Sequence, residues 1–271
     1  MSGSIRLEFG TDGPDTFTAN PGEILVAYGF DDSDTLTGAE LSDFLFGGND
    51  SDTISGGAGD DFLDGGDGDD NINTGTGDDV ILAGSGDDSV GGMAGRDTVL
   101  AGDGDDSVIW NDPDGDVVFG EGGDDFLRGG DIAADTIFGG DGDDLIRAVA
   151  NQGIADHASD FLAGNAGNDA IIGGNAADTI DGGAGDDDMS GFGGADRFTS
   201  RAYEQGSDRI NDFDRTEDLV VLEGFDAGFD PLANISQSNL GAVLDLGSGN
   251  EVLFLGLAVN ELGAEDFVFP A

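Results

Sequence analysis

The chain has no cysteine and no lysine, and it contains only one histidine and one tryptophan. Without cysteine, neither a disulfide framework nor a thiolate metal site is possible. Nucleic acids and anionic membrane surfaces are poor partners, because both need the Lys and Arg clusters that this sequence lacks. No stretch approaches the roughly 18 apolar residues of a membrane span. The first residues, MSGSIRLEFGTDGPD, also lack the cationic and apolar regions of a cleaved secretory signal.

Negative charge dominates what is present. Among 271 residues, 59 acidic and 8 basic side chains give a formal net charge of −51, alongside 51 glycines and 37% apolar residues. Repulsion at this density opposes compaction, so composition alone favours disorder. We therefore expect the chain to fold only if cations neutralise its carboxylates.

A nine-residue repeat organises most of the chain. Two successive copies, GGAGDDFLD at 56–64 and GGDGDDNIN at 65–73, follow G-G-x-G-x-D-x-U-x, where U is apolar. Position six is aspartate and position eight is apolar in all nineteen windows, which a low-complexity acidic linker would not maintain. The windows begin at residues 10, 29, 38, 47, 56, 65, 74, 83, 92, 101, 111, 120, 130, 139, 155, 164, 173, 182 and 191.

The repeat predicts an all-β fold, a parallel β-roll with a C-terminal cap. Positions seven to nine read as a short strand whose eighth side chain points inward, and the glycines of G-G-x-G-x-D supply a turn with positive φ angles. Successive windows would alternate between two sheets, so that eighteen residues make one coil and each window stacks on the next but one. Nineteen windows predict about nine coils and a rod of about 45 Å.

Stacked turns of this kind bring carboxylates together with main-chain carbonyls. Ca²⁺ prefers such all-oxygen sites, whereas Mg²⁺ favours small octahedral sites and Zn²⁺ favours His and Cys. Because the unfolded chain has no preformed site, calcium binding would drive folding. The candidate calcium-binding residues are Asp52, Gly57, Gly59, Asp61, Gly66, Gly68, Asp70, Gly75, Gly77, Asp79, Gly84, Gly86, Asp88, Gly95, Asp97, Gly102, Gly104, Asp106, Gly123, Asp125, Gly140, Gly142, Asp144, Gly167, Asp169, Asp178, Gly183, Gly185, Asp187, Gly194 and Asp196.

Glycine at position four distinguishes the two edges of the predicted roll. The windows at 65, 83, 101, 120, 139, 164 and 182 share one edge and all keep this glycine, which predicts an unbroken calcium ladder there. On the other edge, the windows at 111, 130, 155 and 173 lack it, and insertions at Trp110, Gly129 and 148–154 precede loops of that edge. Two interpretations stay open: this half-edge is a contact surface, or it has drifted within a redundant array.

These residues make the chain resemble the RTX, or hemolysin-type calcium-binding, family. The segments DRINDFD at 208–214 and DLVVL at 218–222 are similar to the segment that closes the roll in serralysin-type C-terminal domains. The end, EDFVF at 265–269 followed by Pro270 and Ala271, is similar to an uncleaved type I secretion signal. The resemblance implies export of an unfolded chain by a type I secretion transporter, folding in extracellular calcium, and a secreted, extracellular or cell-surface location.

The sequence favours a non-enzymatic role. His157 with Ser159 nearby is the one candidate base and nucleophile, and a lone histidine in a degenerate loop is more often incidental. We expect residues 1–28 to form an N-terminal cap with one outlying repeat, 29–199 the roll, and 200–271 a capping and secretion segment, which leaves no room for a catalytic domain. The favoured function is a structural, surface or adhesive protein capable of self-association. The alternatives are a calcium-buffering or pore-associated effector and the export cassette of a larger enzyme.

Overall fold

Short strands follow one another along the whole chain, in a computed structural model that describes residues 3–110, 112–130, 132–148, 158–226 and 228–270. These residues contain short 3₁₀ turns at Pro231–Asn234, Val259–Glu261 and Ala264–Asp266, and no helix among them is long and apolar enough to cross a membrane. The strands are β1 (Ser4–Phe9), β2 (Thr16–Thr18), β3 (Glu23–Phe30), β4 (Thr35–Thr37), β5 (Phe44–Asn49), β6 (Thr53–Ala58), β7 (Phe62–Asp67), β8 (Asn71–Thr76), β9 (Val80–Ser85), β10 (Ser89–Gly91), β11 (Thr98–Asp103), β12 (Ser107–Ile109), β13 (Val117–Gly122), β14 (Phe126–Arg128), β15 (Thr136–Asp141), β16 (Leu145–Arg147), β17 (Phe161–Ala166), β18 (Ala170–Ile172), β19 (Thr179–Ala184), β20 (Asp188–Ser190), β21 (Arg197–Arg201), β22 (Ser207–Ile210), β23 (Leu219–Glu223), β24 (Ile235–Gln237), β25 (Gly241–Gly247), β26 (Asn250–Leu255) and β27 (Phe267–Val268).

The strands alternate between two sheets. Sheet A has the order β1-β3-β5-β7-β9-β11-β13-β15-β17-β19-β21-β23-β27, and sheet B runs β2-β4-β6-β8-β10-β12-β14-β16-β18-β20-β22-β26-β25-β24. Neighbours in the repeat region are parallel and pair residues one coil apart, as Leu45 with Leu63 and Leu63 with Ile81. The all-β parallel β-roll predicted from the repeat is therefore confirmed.

The roll is longer than the nine coils that the repeat predicts. Within the described residues, sheet A has 13 strands, and β1, β3, β23 and β27 lie outside the nineteen windows. These four strands continue the parallel pairing, for example Ile5 with Ile24 and Val220 with Phe267. The coil number was wrong because backbone pairing extends the roll through terminal segments that lack the repeat motif.

The core lies between the sheets and consists of stacked position-eight side chains. Leu45, Leu63, Ile54 and Ile72 are all buried, the first two from sheet A and the last two from sheet B. Each side chain packs on the equivalent residue of the next coil, at the strand spacing of about 4.8 Å. The inward orientation of position eight is thus confirmed. Trp110 enters the same core and is fully buried.

The C-terminal part closes the last coils with aromatic side chains and a hairpin. Phe254 of β26 packs edge-on against Phe213 and Phe267, with ring centroids 5.2 and 6.3 Å away. Strands β24 and β25 then pair antiparallel beside β26. The segments at 208–214 and 218–222, which resemble a roll-closing sequence, contribute to β22 and β23, and each of these strands pairs with one further strand, β26 and β27 respectively.

Candidate metal centres in the stacked loops

The position-six aspartates form two continuous ladders, one along each edge of the roll. The edge that carries the loops at 65 and 83 is called the first edge, and the opposite edge is called the second edge. Eighteen of the nineteen are buried, and Asp15 is half-buried. On the first edge, Oδ1 of Asp70 accepts the backbone N–H of Asp52, and Oδ1 of Asp88 accepts that of Asp70, both at 2.7 Å. The opposite edge repeats this bond, with Asp61 donating to Asp79 Oδ1 at 2.7 Å. One carboxylate oxygen of each aspartate therefore accepts a hydrogen bond from the backbone of the preceding coil. The sequence alone did not show this structural role.

The second carboxylate oxygen differs between the edges. On the first edge, nine successive Oδ2 atoms are buried without a hydrogen-bond partner, those of Asp34, Asp52, Asp70, Asp88, Asp106, Asp125, Asp144, Asp169 and Asp187. On the second edge, Oδ2 of Asp61, Asp79 and Asp116 is in the same state. In three other loops of that edge a backbone N–H donates to Oδ2: Ala39 to Asp43, Gly130 to Asp135 and Gly174 to Asp178, at 2.8, 2.9 and 2.8 Å.

The unpartnered oxygens fit a bound cation. A buried carboxylate oxygen without a partner is strongly destabilising unless a proton or a cation compensates it. At Gly65, a Cβ atom would collide with both Asp70 Oδ2 and the carbonyl oxygen of Ala83, so glycine opens a space lined by two oxygens. Among the residues that the structure describes, no three acidic or histidine side chains converge on one point. Most ligands in such a site would therefore be main-chain carbonyls, together with one or two carboxylates.

A positive φ at position two is common to all the complete loops of the first edge. On the first edge this residue has a positive φ in every loop from Phe30 to Gly183, whereas Ala39 and Gly174 do not and donate their N–H groups to the carboxylate. Three of these positions are not glycine: Phe30, Glu121 and Asn165, with φ of 85°, 77° and 75°. A positive φ is strained for most side chains, so the first edge retains the turn even where the sequence departs from glycine.

Aspartate replaces glycine at position four of the first two complete loops on this edge. Asp32 and Asp50 both have a positive φ of 71°, and the position-four glycines elsewhere on this edge also have a positive φ. Since Asp tolerates the left-handed region better than most residues, its presence at position four was a signal that the turn is kept. The complete loops of the first edge therefore begin at residue 29, earlier than the predicted ladder.

The predicted ligand glycines all lie in this turn geometry, but two predicted aspartates lie in altered loops. All eighteen glycines in the candidate set have positive φ. Asp97 Oδ2 accepts the Thr74 hydroxyl at 3.4 Å, and Asp178 Oδ2 accepts the Gly174 N–H. His157 and residues 149–154 of the insertion lie outside the described residues. Trp110 is enclosed in the core and so is not exposed to a partner.

Burial shifts the ionisation of the ladder carboxyls. It raises the pKa of Asp70 and Asp125 to about 7, and neighbouring carboxylates push in the same direction, partly opposed by the backbone N–H from the preceding coil. The pKa of Asp52 and Asp106 rises to about 6 for the same reasons. A cation-free loop would therefore take up protons near neutral pH.

The exposed Glu121 provides a test of turn strain. Replacing it with glycine, Glu121→Gly, should stabilise the calcium-loaded protein by about 0.5–1 kcal/mol, because relief of a strained φ exceeds the added flexibility of the unfolded chain. Met93 occupies position two of a loop without positive φ there, so Met93→Gly should instead destabilise by about 0.5–1 kcal/mol. Urea unfolding at saturating calcium measures both changes in the free energy of unfolding. Equal effects of the two substitutions would contradict backbone strain at Glu121.

The raised pKa values predict a pH effect in the absence of calcium. The folded carboxyls hold protons up to about pH 7, whereas exposed ones release them near their ordinary pKa of 3.8. Protonation therefore stabilises the calcium-free roll as pH falls from about 7 towards 4, and this stabilisation is lost as pH rises through 7. Circular dichroism of metal-free protein should show more β-structure at the acidic end of this range. A spectrum independent of pH would contradict the shift.

Two parallel sheets, glycine turns and buried carboxylate ladders define a parallel β-roll whose loops suit calcium. The family model for the RTX calcium-binding nonapeptide repeat (4 copies) matches residues 28–63, 64–99, 83–109, 130–148, 158–189 and 172–201. The chain belongs to this family and is a calcium-binding repeat protein with multiple Ca²⁺ sites. No curated protein matches this chain.

Two solved structures match parts of this chain. The extracellular lipase LipA from Serratia marcescens is 22% identical, with a TM-score of 0.42, and the match covers 74% of this chain and 40% of the lipase. The AlgE6R3 subunit of the Azotobacter vinelandii mannuronan C5-epimerase is 26% identical, with a TM-score of 0.21, covering 50% of this chain and 78% of that subunit. This chain thus spans less than half of the lipase's length.

Proposed function

We propose that this protein is a secreted, non-enzymatic structural β-roll that folds on binding calcium outside the cell. The observation that carries the proposal is the row of nine buried, unpartnered carboxylate oxygens along one edge of a chain with a net charge of −51. Calcium in these loops would neutralise charge that otherwise opposes folding, so its binding free energy becomes folding free energy.

The ligand assignment follows from the two kinds of loop. On the first edge, we assign calcium to Oδ2 of the nine ladder aspartates and to carbonyls of the adjoining turns. On the second edge, the complete loops containing Asp61 and Asp79 take calcium in the same way. Asp178 belongs to an altered loop, where the Gly174 N–H replaces the ion. Of the aspartates predicted as ligands, Asp178 is therefore the one whose geometry least favours calcium.

A structural role is supported by where the acidic groups lie. The position-six aspartates are buried between coils, where a substrate would not reach them. Their first oxygen is already engaged in holding the next coil. The carboxylates thus hold successive coils together. One oxygen does so by a hydrogen bond, and the other would do so through a shared cation.

A pair of conservative substitutions tests the assignment. Asp106→Asn removes a ligand charge on the first edge while keeping an Oδ1 to accept the Asp88 N–H, so calcium stoichiometry should fall by one or two ions. Asp178→Asn should leave the stoichiometry unchanged and destabilise the protein by about 1–3 kcal/mol, because the Gly174 N–H loses its acceptor. Calorimetric calcium titration followed by circular dichroism measures both quantities.

Wild-type protein provides the reference for this experiment. It should be largely unfolded in chelator and become β-structured over the same calcium range in which heat is released. Full β-structure in chelator at pH 7.5 would refute calcium-driven folding. Equal loss of calcium in the two Asn variants would refute the division between the edges.

Export before folding is supported by the position of the proposed secretion signal. In the folded chain Asp266 and Phe267 are buried, and β27 pairs with β23. A transporter could read residues 265–271 only in an unfolded chain, which scarce cytosolic calcium would maintain. We further propose that 1–28 and 200–271 act as caps on the repeat roll of 29–199.

A secretion assay tests the signal. In a Gram-negative host with a type I exporter, full-length protein should reach the medium, and removal of residues 265–271 should retain it in the cells. As a control, Phe225→Ala with Phe229→Ala disturbs cap packing, where the ring centroids lie 4.8 Å apart, without touching the signal. The control variant should still be exported. Export of the truncated chain would rule out this signal.

A further inference from the structure

The outer faces of the two sheets differ in chemistry although their backbones are equivalent. Positions seven and nine of each window point outward, and stacking aligns them into two columns on each sheet. From β1 to β17 the sheet A columns are Leu7, Val26, Phe44, Phe62, Val80, Thr98, Val117, Thr136, Phe161 and Phe9, Tyr28, Phe46, Asp64, Leu82, Leu100, Phe119, Phe138, Ala163. Beyond β17 the columns become polar, with Thr179 and Arg197 in the first and Asp181 and Thr199 in the second. The first sheet B columns are Thr16, Thr35, Thr53, Asn71, Ser89, Ser107 and Thr18, Thr37, Ser55, Asn73.

The sheet A columns form a long apolar strip, which we call the apolar face. Exposed fractions reach 54% for Leu7, 44% for Phe44, 40% for Val80 and 36% for Phe161. Between β1 and β17, Asp64 is the one charged side chain in these two columns, in a chain whose net charge is −51. A continuous exposed apolar surface of this length is a mark of an interaction site.

Ring stacking along the columns does not cover this face. Tyr28 stacks on Phe9 and Phe46 at centroid distances of 5.4 and 4.6 Å, and Phe119 stacks on Phe138 at 5.0 Å. These contacts use ring faces directed along the roll and stabilise neighbouring coils. The outward edges of the rings stay in solvent, so the apolar face still lacks a partner.

We propose that the apolar face binds the same face of a second copy of this chain. The nine strands that carry it, spaced by about 4.8 Å, give a strip roughly 43 Å long and about 14 Å wide. Pairing would bury roughly 600 Å² on each copy, about 1,200 Å² in total, which reaches the lower bound for specific interfaces. The two sheets would pack face to face about 10 Å apart.

The distribution of charge favours a second copy over other occupants. The acidic side chains are concentrated in the loops at the two edges, and the apolar face between them is nearly free of charge. Two copies can therefore meet there while their edge carboxylates, neutralised by calcium, lie to the sides. The interface is self-complementary, as a two-fold dimer requires. It rests on the proposed function, because the face exists only once calcium has folded the roll.

Matched substitutions on the two sheets test the proposal. The face variant carries Phe44→Thr, Val80→Thr and Phe161→Thr, and the control carries Phe126→Thr and Leu145→Thr at position seven of sheet B. In calcium, wild type and control should sediment at twice the 27.4 kDa chain mass. The face variant should sediment as a monomer, with its dissociation constant raised by at least about 100-fold.

Circular dichroism separates failure to fold from failure to dimerise. Threonine already occupies position seven at Thr98 and Thr136, so the face variant should keep the β-spectrum of wild type. Loss of that spectrum in wild type with calcium would overturn the proposed function. A folded wild type that is monomeric at ~100 μM, far above the dissociation constants of such interfaces, would overturn the dimer alone. Dimerisation by the folded face variant would also overturn it.

Single cysteines give an independent measurement, because the described chain has no native thiol. Thr98→Cys lies at the middle of the apolar face, and Ser107→Cys lies at the same position on sheet B, with both native side chains half-buried. In the calcium-loaded dimer, the thiol at position 98 should react with maleimide several-fold more slowly than the thiol at position 107. Equal rates would contradict a covered face.

Discussion

The rest of the structure depends on the burial of one aspartate in every loop. Its Oδ1 accepts the backbone N–H of the equivalent aspartate in the preceding coil, as Asp88 does from Asp70. This bond recurs along both edges and sets each coil on the next. It also stacks negative charges at the strand spacing of about 4.8 Å, in surroundings that raise their pKa to about 7 in Asp70. The same side chain therefore holds neighbouring coils together and also places negative charges next to one another. In the proposed function, a cation on Oδ2 neutralises these charges.

The different roles of the two carboxylate oxygens explain why position six of the repeat is always aspartate while the glycine positions vary. Aspartate persists at position six even in altered loops such as that of Asp178, because Oδ1 is needed for stacking regardless of calcium. Position two leaves the positive-φ conformation where Oδ2 has a backbone donor, as at Ala39. On the first edge, where Oδ2 has no such donor, Phe30 and Glu121 replace glycine but keep a positive φ despite the strain. The strained turns persist because the aspartate ladder of this edge requires their backbone conformation.

Charge is concentrated in the loops, and the sheets have distinct outer surfaces. Sheet A presents aromatic and aliphatic columns, for example Phe44 and Phe46, and the early strands of sheet B present hydroxyl and amide side chains, for example Thr35 and Asn71. The rod therefore has acidic edges, a polar surface on the early strands of sheet B, and an apolar face on sheet A. In the proposed function calcium binding drives folding, and in the proposed dimer the apolar face makes the contact.

The sequence alone was sufficient for the parallel β-roll, its inward-facing column and its calcium. These depend on a nine-residue period that is local, so position in the repeat predicts both burial and turn chemistry. Other features depended on neighbours eighteen residues away and were decided only by the tertiary structure. Oδ2 stays unpartnered in Asp52 but accepts a backbone N–H in Asp43, and this difference depends on how the stacked turns hold the backbone. The strands β1 and β27 join the roll by pairing, without any motif. The apolar face is continuous only because the coils bring Phe9, Tyr28 and Phe46 into contact.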